Sequence, residues 1–354
     1  MAEWADELGS LWAWFAEHQF RGYSPLYERI AVAASSSPVV LELQMEGPPE
    51  AHLPPVLLGA VHYLLLDGAD HPLADVYAGR STADPVPLFL DLCRVHHDDL
   101  VALIKVRRVQ TNDCGRSALL GPGLSWLSGR LPGAMALVDV GASAGLNLIP
   151  DRYRLDYGGH GTTGPLSPVV IHCDVIGGDP PIAAALPPLA ARIGLDRSPI
   201  DLADPNDARW LLACVWPDTG RLERTAASIR VARESLPTVQ SGDAVGDLPP
   251  LLDGLDEGVS AVVVNTWALS YLGRAEREEY LEVLAQASRR RALAWLLADD
   301  ISVLSEVPAL GEGGTAGNAL AALVFDRGDM VSGEILAAVH QHGAWIDWCA
   351  ESSA

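Results

Sequence analysis

The most informative segment of the chain is Gly141-Ala-Ser-Ala-Gly145, which directly follows the apolar run Ala136–Val140. Such a run indicates a buried strand, and the two glycines allow the backbone to turn tightly and to approach a ligand closely. Amides at the start of a following helix would face a carboxylate or a phosphate. Asp139 adds an acidic group at the end of the strand. The segment therefore predicts a ligand-binding loop at the end of the first strand of a sheet.

The same five residues fit a second chemistry, because Gly-x-Ser-x-Gly is the nucleophile elbow of α/β-hydrolases. Ser143 would be the nucleophile, and an acid (Asp299 or Asp300) and a histidine (His340 or His342) follow in the order that such enzymes use. No HGGG-type segment precedes the loop, and few strand-like runs precede residue 134. These two features favour the ligand-binding interpretation. The hydrolase interpretation stays open, as does a tight turn that binds nothing.

The elements that must position this loop alternate between strands and helices. The strand-like runs are Ala136–Val140, Ala261–Asn265 and Ala292–Ala298, and Arg274–Arg290 has a helical pattern. Strands that alternate with helices predict parallel pairing through right-handed crossovers. Two further strands, Ala319–Phe325 and Val331–His340, flank the turn Asp326-Arg-Gly-Asp329 and predict an antiparallel hairpin at the end of the domain.

The first part of the chain has a helical pattern instead. Trp4, Leu8, Trp12 and Phe15 recur at helical spacing. We therefore expect an N-terminal helical cap domain over residues 1–125 and an α/β domain over residues 126–354. Within the latter, residues 158–237 are expected to form an insertion on the sheet that helps to cover a substrate.

The strand, Asp139 and the glycine loop together resemble the first motif of class I S-adenosylmethionine-dependent methyltransferases, and the order of elements from 136 to 342 is similar to theirs. The resemblance implies a Rossmann-like, mostly parallel sheet with a C-terminal antiparallel hairpin. It also implies that Gly141, Ala142 and Gly145 line the methionine part of the cofactor, with Asp139 nearby. Ser143 and Asn147, in the same loop, are expected to belong to the cofactor site.

Other cofactor contacts are expected after the later strands. The ribose hydroxyls are donors, so a carboxylate after the second strand would accept them; Asp156 is the first candidate and Asp174 the second. Asp243, in Gly242-Asp243-Ala244, resembles the residue that holds the adenine amino group in this class of enzyme. Asn265, at the end of the fourth strand, is expected to contact cofactor or substrate, together with Trp267 and Tyr271.

The whole chain also resembles an uncharacterised bacterial family of methyltransferase-like proteins, known only as a domain of unknown function. The matching segments are Val109–Arg116, the Gly141 loop as far as Tyr153, Ala208–Asp218 and Gly242-Asp243. The first segment contributes Gln110, Asn112 and Arg116 to the expected cofactor site, at the junction of the two domains. Arg116 would pair with the cofactor carboxylate or form a salt bridge between domains.

Composition excludes several classes of function. Twenty-four Lys and Arg against 46 Asp and Glu give a net charge of −22, which repels nucleic acid and anionic membranes. The apolar run Pro54–Leu66 is shorter than the roughly 20 residues that span a bilayer. The five scattered cysteines predict reduced thiols, and no metal site is expected. The acidic N-terminus argues against a signal peptide, so a cytoplasmic location is expected.

The expected function is methyl transfer from S-adenosylmethionine to a small-molecule acceptor. A general base is needed only if the acceptor carries a proton at the point of attack, and the candidates are His340 and Tyr271, with His342 as a further one. A serine hydrolase and a non-catalytic cofactor-binding protein remain alternatives.

Overall fold

The computed structural model describes residues 2–307, 310 and 317–350. The chain divides into two compact units. The first comprises the residues up to 111 together with 203–226, and the second comprises 112–202 and the residues from 227 onwards.

Among the described residues, eight α-helices precede the first strand, and strands and helices are interspersed after it. The helices are α1 (Ala2–Phe15), α2 (Pro25–Ala34), α3 (Pro38–Met45), α4 (Pro54–Leu66), α5 (Leu73–Tyr77), α6 (Pro85–Val95), α7 (His97–Val106), α8 (Ser117–Ser128), α9 (Pro205–Ala213), α10 (Leu222–Glu234), α11 (Leu248–Asp253), α12 (Arg274–Ala287) and α13 (Ile301–Leu304). The strands are β1 (Met135–Val140), β2 (Arg154–Asp156), β3 (Thr162–Thr163), β4 (Val170–His172), β5 (Asp174–Gly177), β6 (Leu189–Asp196), β7 (Val239–Ser241), β8 (Ser260–Thr266), β9 (Leu293–Asp300), β10 (Asn318–Asp326), β11 (Asp329–Val339) and β12 (Trp345–Trp348). None of the helices in the described part of the chain combines the length and apolarity that a membrane crossing requires.

The first unit is helical, as its sequence pattern predicts. Proline at the first position starts α2, α6 and α9, where its missing N–H and fixed φ are favourable. A side-chain oxygen of Ser24 caps α2 by accepting the N–H of Tyr27. Trp12 and Phe20 are fully buried in the unit's core.

Residues 203–226 belong to this helical unit, which differs from the expected insertion over 158–237. Trp210 of α9 is buried, and its Nε1 donates to the carbonyl oxygen of Arg108 at 2.8 Å. Asp218 accepts the Ser24 hydroxyl at 2.6 Å and the Leu26 N–H at 2.9 Å. These long-range contacts fix the segment to the core of the first unit. At the other end, the expected boundary at residue 125 falls inside α8, which lies in the second unit.

The second unit is built on a nine-stranded sheet in the order β5-β12-β11-β10-β9-β8-β1-β6-β7. Strands β7, β6, β1, β8 and β9 are parallel, and β10 and β11 form the expected antiparallel hairpin. Arg327 and Gly328 both have positive φ, which suits a two-residue hairpin turn. The mixed α/β class with a mostly parallel sheet is thus confirmed. A second, three-stranded sheet has the order β3-β2-β4.

The strand order identifies where a ligand would bind. Five adjacent strands are mutually parallel, and in chain order they are β1, β6, β7, β8 and β9; they lie in the spatial order three, two, one, four, five, while β5 lies at the far edge of the sheet beside β12. The chain adds β6 and β7 on one side of β1 and then adds β8 and β9 on its other side, so the order of the strands reverses between β1 and β8. Ligands of open α/β sheets bind at such a switch point, outside the carboxyl ends of the strands. Val138, Val263 and Trp295 pack on one sheet face with Tyr280 and Leu284 of α12.

Candidate functional site

The loops after the parallel strands lie at one edge of the sheet, which we name the carboxyl edge. It comprises residues 141–147 after β1, 196–198 after β6, 242–247 after β7 and 267–271 after β8. The glycine loop is thus at the switch point, where its sequence predicts a ligand-binding loop.

The backbone of the glycine loop is held in a conformation that few residues adopt. Gly141 and Gly145 have φ of +86° and +75°, and a Cβ on Gly141 would lie 2.7 Å from the Cβ of Ala268. Ser143 has a φ of +52° without being glycine. Such strain costs free energy and concentrates at functional sites. The loop therefore has the backbone of a binding site, although its amides are partly used within the protein.

The end of β6 holds the loop in place. The N–H groups of Gly141 and Ala142 donate to the carbonyl oxygen of Leu195, at 2.8 and 3.3 Å. The Ser143 N–H donates to Oδ2 of Asp196 at 2.8 Å. The expected helix after the loop is replaced by two three-residue 3₁₀ turns, Leu146–Leu148 and Pro150–Arg152. The loop therefore does not lead into the N-terminus of an α-helix, where an anion could bind.

Three side chains of this region are buried and hold polar atoms without a hydrogen-bond partner among the described residues. They are both carboxyl oxygens of Asp139, the hydroxyl of Ser143 and the amide nitrogen of Asn147. The exposed fractions of the three residues are 2%, 5% and 1%. Buried polar groups are almost always paired, because an unpaired one loses its hydration without compensation. Their concentration at the switch point indicates a place for a polar ligand.

Burial also changes the acidity of Asp139. It raises the pKa of this carboxyl from 3.8 to about 7, with Arg116 opposing the rise and Asp196 adding to it. A carboxyl with this pKa exists in both protonation states near neutral pH. A cation placed beside it would favour the ionised form.

Asn112 and Ser117 also hold the glycine loop in place. Oδ1 of Asn112 accepts the Leu146 N–H at 2.7 Å, so the expected cofactor residue Asn112 supports the loop. The Ser117 hydroxyl lies 3.3 Å from Oδ1 of Asn147. This contact fixes the oxygen of the Asn147 amide and thereby directs its unpartnered nitrogen.

Arg116 precedes α8, and its side chain contacts the end of β8. Its Nη1 donates to the carbonyl oxygen of Thr266 at 2.8 Å, and its guanidinium stacks over the Trp267 ring at 4.7 Å. Trp267 itself has a φ of +53° and donates from Nε1 to Asn318 at 3.0 Å. Arg116 and Trp267, which come from different segments of the sequence, thus pack against each other after β8.

The structure corrects the expectation for Asn265. Its Nδ2 donates to the Val140 carbonyl oxygen at 2.8 Å, and its Oδ1 accepts the Tyr280 hydroxyl and the Trp295 N–H. The side chain lies on the same face as Val263, inside the core, and is 2% exposed. Asn265 therefore links β1 to β8 and does not reach a ligand at the edge.

The expectation for Asp156 is corrected as well. Asp156 lies in β2 of the small sheet, where its carboxylate contacts His172 at 3.0 Å. Asp174 begins β5 instead of ending a strand. The strand that follows β1 among the five adjacent parallel strands is β6, and the acid at its end is Asp196, which sequence reasoning missed. The signal in the sequence is the run Ile193-Gly-Leu195 followed by an acid, inside the segment 158–237 that was expected to be an insertion.

The remaining candidates from the sequence are Asp243, Tyr271 and Gln110, and they lie in different parts of the chain. Asp243 follows β7 at the carboxyl edge, where it accepts Arg197 and the N–H groups of Val245 and Gly246. The Val245 N–H and the Arg197 guanidinium lower its pKa. Tyr271 is 79% exposed. Gln110 belongs to the first unit. The roles of these three in binding or catalysis stay predictions.

The two candidate histidines lie together in the turn after β11. His340 accepts the N–H of His342 at its Nδ1, at 3.1 Å. His342 contacts Asp113, with 3.0 Å between Nδ1 and Oδ2. Ser143 has neither histidine as a hydrogen-bond partner, and Asp299 accepts the N–H groups of Leu269 and Asp300. The described residues therefore form no Ser-His-Asp relay. Nor does any group of three or more acidic, histidine or cysteine side chains in this part of the chain form a potential metal site.

Comparison with known proteins gives a family and nothing about chemistry. Residues 10–348 match the model of a family described as an uncharacterised protein conserved in bacteria, DUF2332, and the chain belongs to that family. Neither the curated proteins nor the solved structures contain a match.

Proposed function

We propose that this member of an uncharacterised bacterial family binds S-adenosylmethionine at the carboxyl edge of its sheet and transfers the methyl group to a small-molecule acceptor. The observation that supports the proposal best is the group of buried, unpartnered polar atoms of Asp139, Ser143 and Asn147 at the switch point. The resemblance of the glycine loop to the first motif of class I methyltransferases points to the same ligand.

The three groups complement an amino acid. Asp139, once ionised, accepts hydrogen bonds from an ammonium group. The Ser143 hydroxyl and the Asn147 amide nitrogen are donors for a carboxylate. The methionine part of the cofactor carries both an ammonium and a carboxylate on one carbon. The residues present therefore fit this part of the cofactor.

Asp196 is the residue that we assign to the ribose. Its Oδ2 accepts the Ser143 N–H and its Oδ1 accepts the Ser198 N–H, both at 2.8 Å. Each carboxylate oxygen can accept a second hydrogen bond, so two hydroxyl groups can still bind. Asp196 also contacts the loop that would hold the amino acid part, which keeps the two subsites adjacent.

The cofactor supplies an electrophilic methyl group on a sulfonium ion. The part of the chain in the reaction is then to position the two reactants and to exclude water from them. The rigid loop suits this task, since its conformation is fixed by β6, Asn112 and the glycines before any ligand arrives.

Calorimetric titration tests the proposal. We expect micromolar binding of S-adenosylmethionine and S-adenosylhomocysteine to the wild-type protein at pH 7.5. Asp139→Asn should weaken both by at least about tenfold, because a neutral amide cannot pair with an ammonium. The matched control is Asp329→Asn, in the exposed hairpin turn, and it should bind as the wild type does.

The pH dependence gives a second test in the same experiment. Since the pKa of Asp139 is raised to about 7, the fraction that is ionised falls as the pH drops from 7.5 to 6. Affinity should therefore fall by up to about tenfold per pH unit below pH 7 in the wild type, and not in Asp139→Asn. Absence of binding at every pH would contradict the proposal.

The hydrolase alternative has one supporting observation, the positive φ of Ser143, which a strained nucleophile elbow would also show. Labelling by a fluorophosphonate that disappears in Ser143→Ala would establish it. A cofactor-binding protein without turnover would show the binding described above and no methylated product.

A further inference from the structure

His342 and Asp113 form a buried pair in the second unit. Nδ1 of His342 lies 3.0 Å from Oδ2 of Asp113, and the side chains are 16% and 5% exposed. The other carboxylate oxygen, Oδ1, accepts the Gly115 N–H at 2.8 Å. Asp113 is thus fixed by the backbone, and in turn it fixes the plane of the imidazole ring.

The contact determines which ring nitrogen carries a proton. A carboxylate oxygen only accepts, so Nδ1 of His342 must donate to it. In the neutral imidazole the lone pair is then on Nε2. A histidine oriented by a carboxylate in this manner is the usual arrangement of a general base.

The pair is rigidly attached to the carboxyl edge. Gly343, with a φ of +71°, packs so closely on the Gly115 carbonyl oxygen that a Cβ would lie 2.0 Å from it. Nε of Arg116 donates to the Gln341 carbonyl oxygen at 3.3 Å, and its Nη1 donates to Thr266 at the end of β8. The same guanidinium influences the pKa of Asp139. A single arginine thus links the histidine turn, the end of β8 and the candidate amino acid site.

We propose that His342, positioned by Asp113, takes the proton from the acceptor, which places the acceptor among phenols and similar hydroxyl compounds. This inference rests on the proposed methyl transfer. An unperturbed imidazole has a pKa of about 6.5 and a phenol one of about 10, so proton transfer between them is feasible at neutral pH. The His342 ring contacts Asp113 and lies 5.7 Å from the His340 ring, and Arg116 donates to the carbonyl oxygen of the preceding residue, Gln341.

The hydroxyl proton passes to Nε2 of His342, and the electron pair of the oxygen forms the new bond to the methyl carbon. The electrons of the methyl–sulfur bond stay on sulfur, which becomes a neutral thioether. The imidazolium then returns its proton to solvent.

The first experiment reads the tautomer of His342 by ¹⁵N NMR of histidine-labelled protein, with His342→Gln to assign the signals. We expect the Nδ1–H tautomer in the wild-type protein, its loss in Asp113→Asn and its retention in Asp113→Glu, which keeps the charge. The Nε2–H tautomer in the wild type would overturn the inference. This readout requires neither cofactor nor acceptor.

The second experiment measures methyl transfer to 4-methylphenol and to thiophenol, which is largely ionised at neutral pH and needs no base. His342→Gln should lower kcat for the phenol by about 10²- to 10⁴-fold and for the thiol by less than about threefold. Asp113→Asn should follow His342→Gln, and Asp113→Glu should recover part of the rate. His160→Gln, in a surface turn of the same unit, is the control and should match the wild type.

Three results would overturn the inference while leaving cofactor binding intact. They are equal losses for the two acceptors, a tenfold weaker binding of S-adenosylhomocysteine by His342→Gln, and no transfer to either acceptor by a wild-type protein that binds the cofactor. Absence of cofactor binding in calorimetry would instead reject the proposed function itself, and this inference with it.

Discussion

The two edges of the main sheet contrast sharply. Beside the start of β1, at the amino edge, the structure has a cavity of about 840 Å³, lined by Ser125 and Ser128 of α8, by residues 133–135 and mainly by apolar residues of the segment 181–188. At the carboxyl edge, the cavity beside Ala144 is about 180 Å³. Of these two cavities, the one at the amino edge is the larger.

The chemistry of the two edges points the other way. The hydroxyls of Ser125 and Ser128 donate to carbonyl oxygens of their own helix, at 3.1 and 2.7 Å. At the carboxyl edge, by contrast, Asp139, Ser143 and Asn147 carry buried polar atoms without a partner in the described chain. A buried polar group without a partner costs free energy, and three such groups close together are explained by a polar ligand that binds there. The buried polar groups without a partner, and not the size of a cavity, therefore identify the carboxyl edge as the candidate site.

The largest expected effect concerns Asp139 and the stability of the protein. Burial raises the pKa of this carboxyl from 3.8 to about 7, so folding disfavours its ionised form. Ionisation of Asp139 should therefore destabilise the wild type relative to Asp139→Asn as the pH rises from 4 to 7, by about 4 kcal/mol at roughly 1.4 kcal/mol per pKa unit. Asp139→Asn cannot ionise and should be the more stable protein at pH 8, by up to that amount.

Urea unfolding of both proteins at pH 4 and pH 8 measures this effect. A variant that gains stability and loses ligand binding is the signature of a residue kept for function. If Asp139→Asn is less stable than the wild type at pH 8, the carboxylate is satisfied in solution and the contrast between the edges disappears.

The second prediction concerns the backbone of the loop. Gly141→Ala places a Cβ at a φ of +86° and 2.7 Å from Ala268, so we expect a destabilisation of about 2–4 kcal/mol and no measurable binding of S-adenosylmethionine. Gly159→Ala is the matched control, because nothing lies within 4 Å of its added Cβ. Equal unfolding midpoints of the two variants would show that the loop tolerates rearrangement.

The third prediction separates two acids. Asp196→Asn should weaken the binding of S-adenosylmethionine by about tenfold, because it removes the charge that holds both the Ser143 N–H and the ribose hydroxyls. Asp156→Asn, in the small sheet, should leave the affinity unchanged within about twofold. The opposite ranking of the two affinities in calorimetry would return the ribose to Asp156.

Much of the fold was predictable because its signals are local. The strands around Ala136–Val140 and Ala261–Asn265 are apolar apart from Asp139 and Asn265 near their ends, and the terminal hairpin surrounds a clear turn sequence. Strand β6 was missed because Arg192 and Gly194 interrupt its apolar pattern. The membership of α9 in the helical unit was not predictable, since it depends on contacts such as that between Trp210 and Arg108, which are distant in sequence.

The site was predictable only in part, for a geometric reason. Asp139 and Asn265 are both polar residues near the end of a strand, yet their side chains lie on opposite faces of the sheet. Asn265 shares its face with Val263, and α12 covers that face. The alternation of strand side chains contains this information, but it becomes useful only when the covering helix is known. Asp156 was preferred over Asp196 because the small sheet intervenes along the chain and shifts the count of strands.

The smallest expected effect is at the amino edge, where a null result is the prediction. Ala185 is exposed and lines the 840 Å³ cavity, so Ala185→Phe fills part of the space without burying a polar group. The free energy of unfolding should change by less than about 0.5 kcal/mol, and the affinity for S-adenosylmethionine by less than about twofold. Ala183→Phe, in the same wall, repeats the test independently. A tenfold loss of affinity in both variants would place the ligand at the amino edge, and the unpaired groups around Asp139 would then require another explanation.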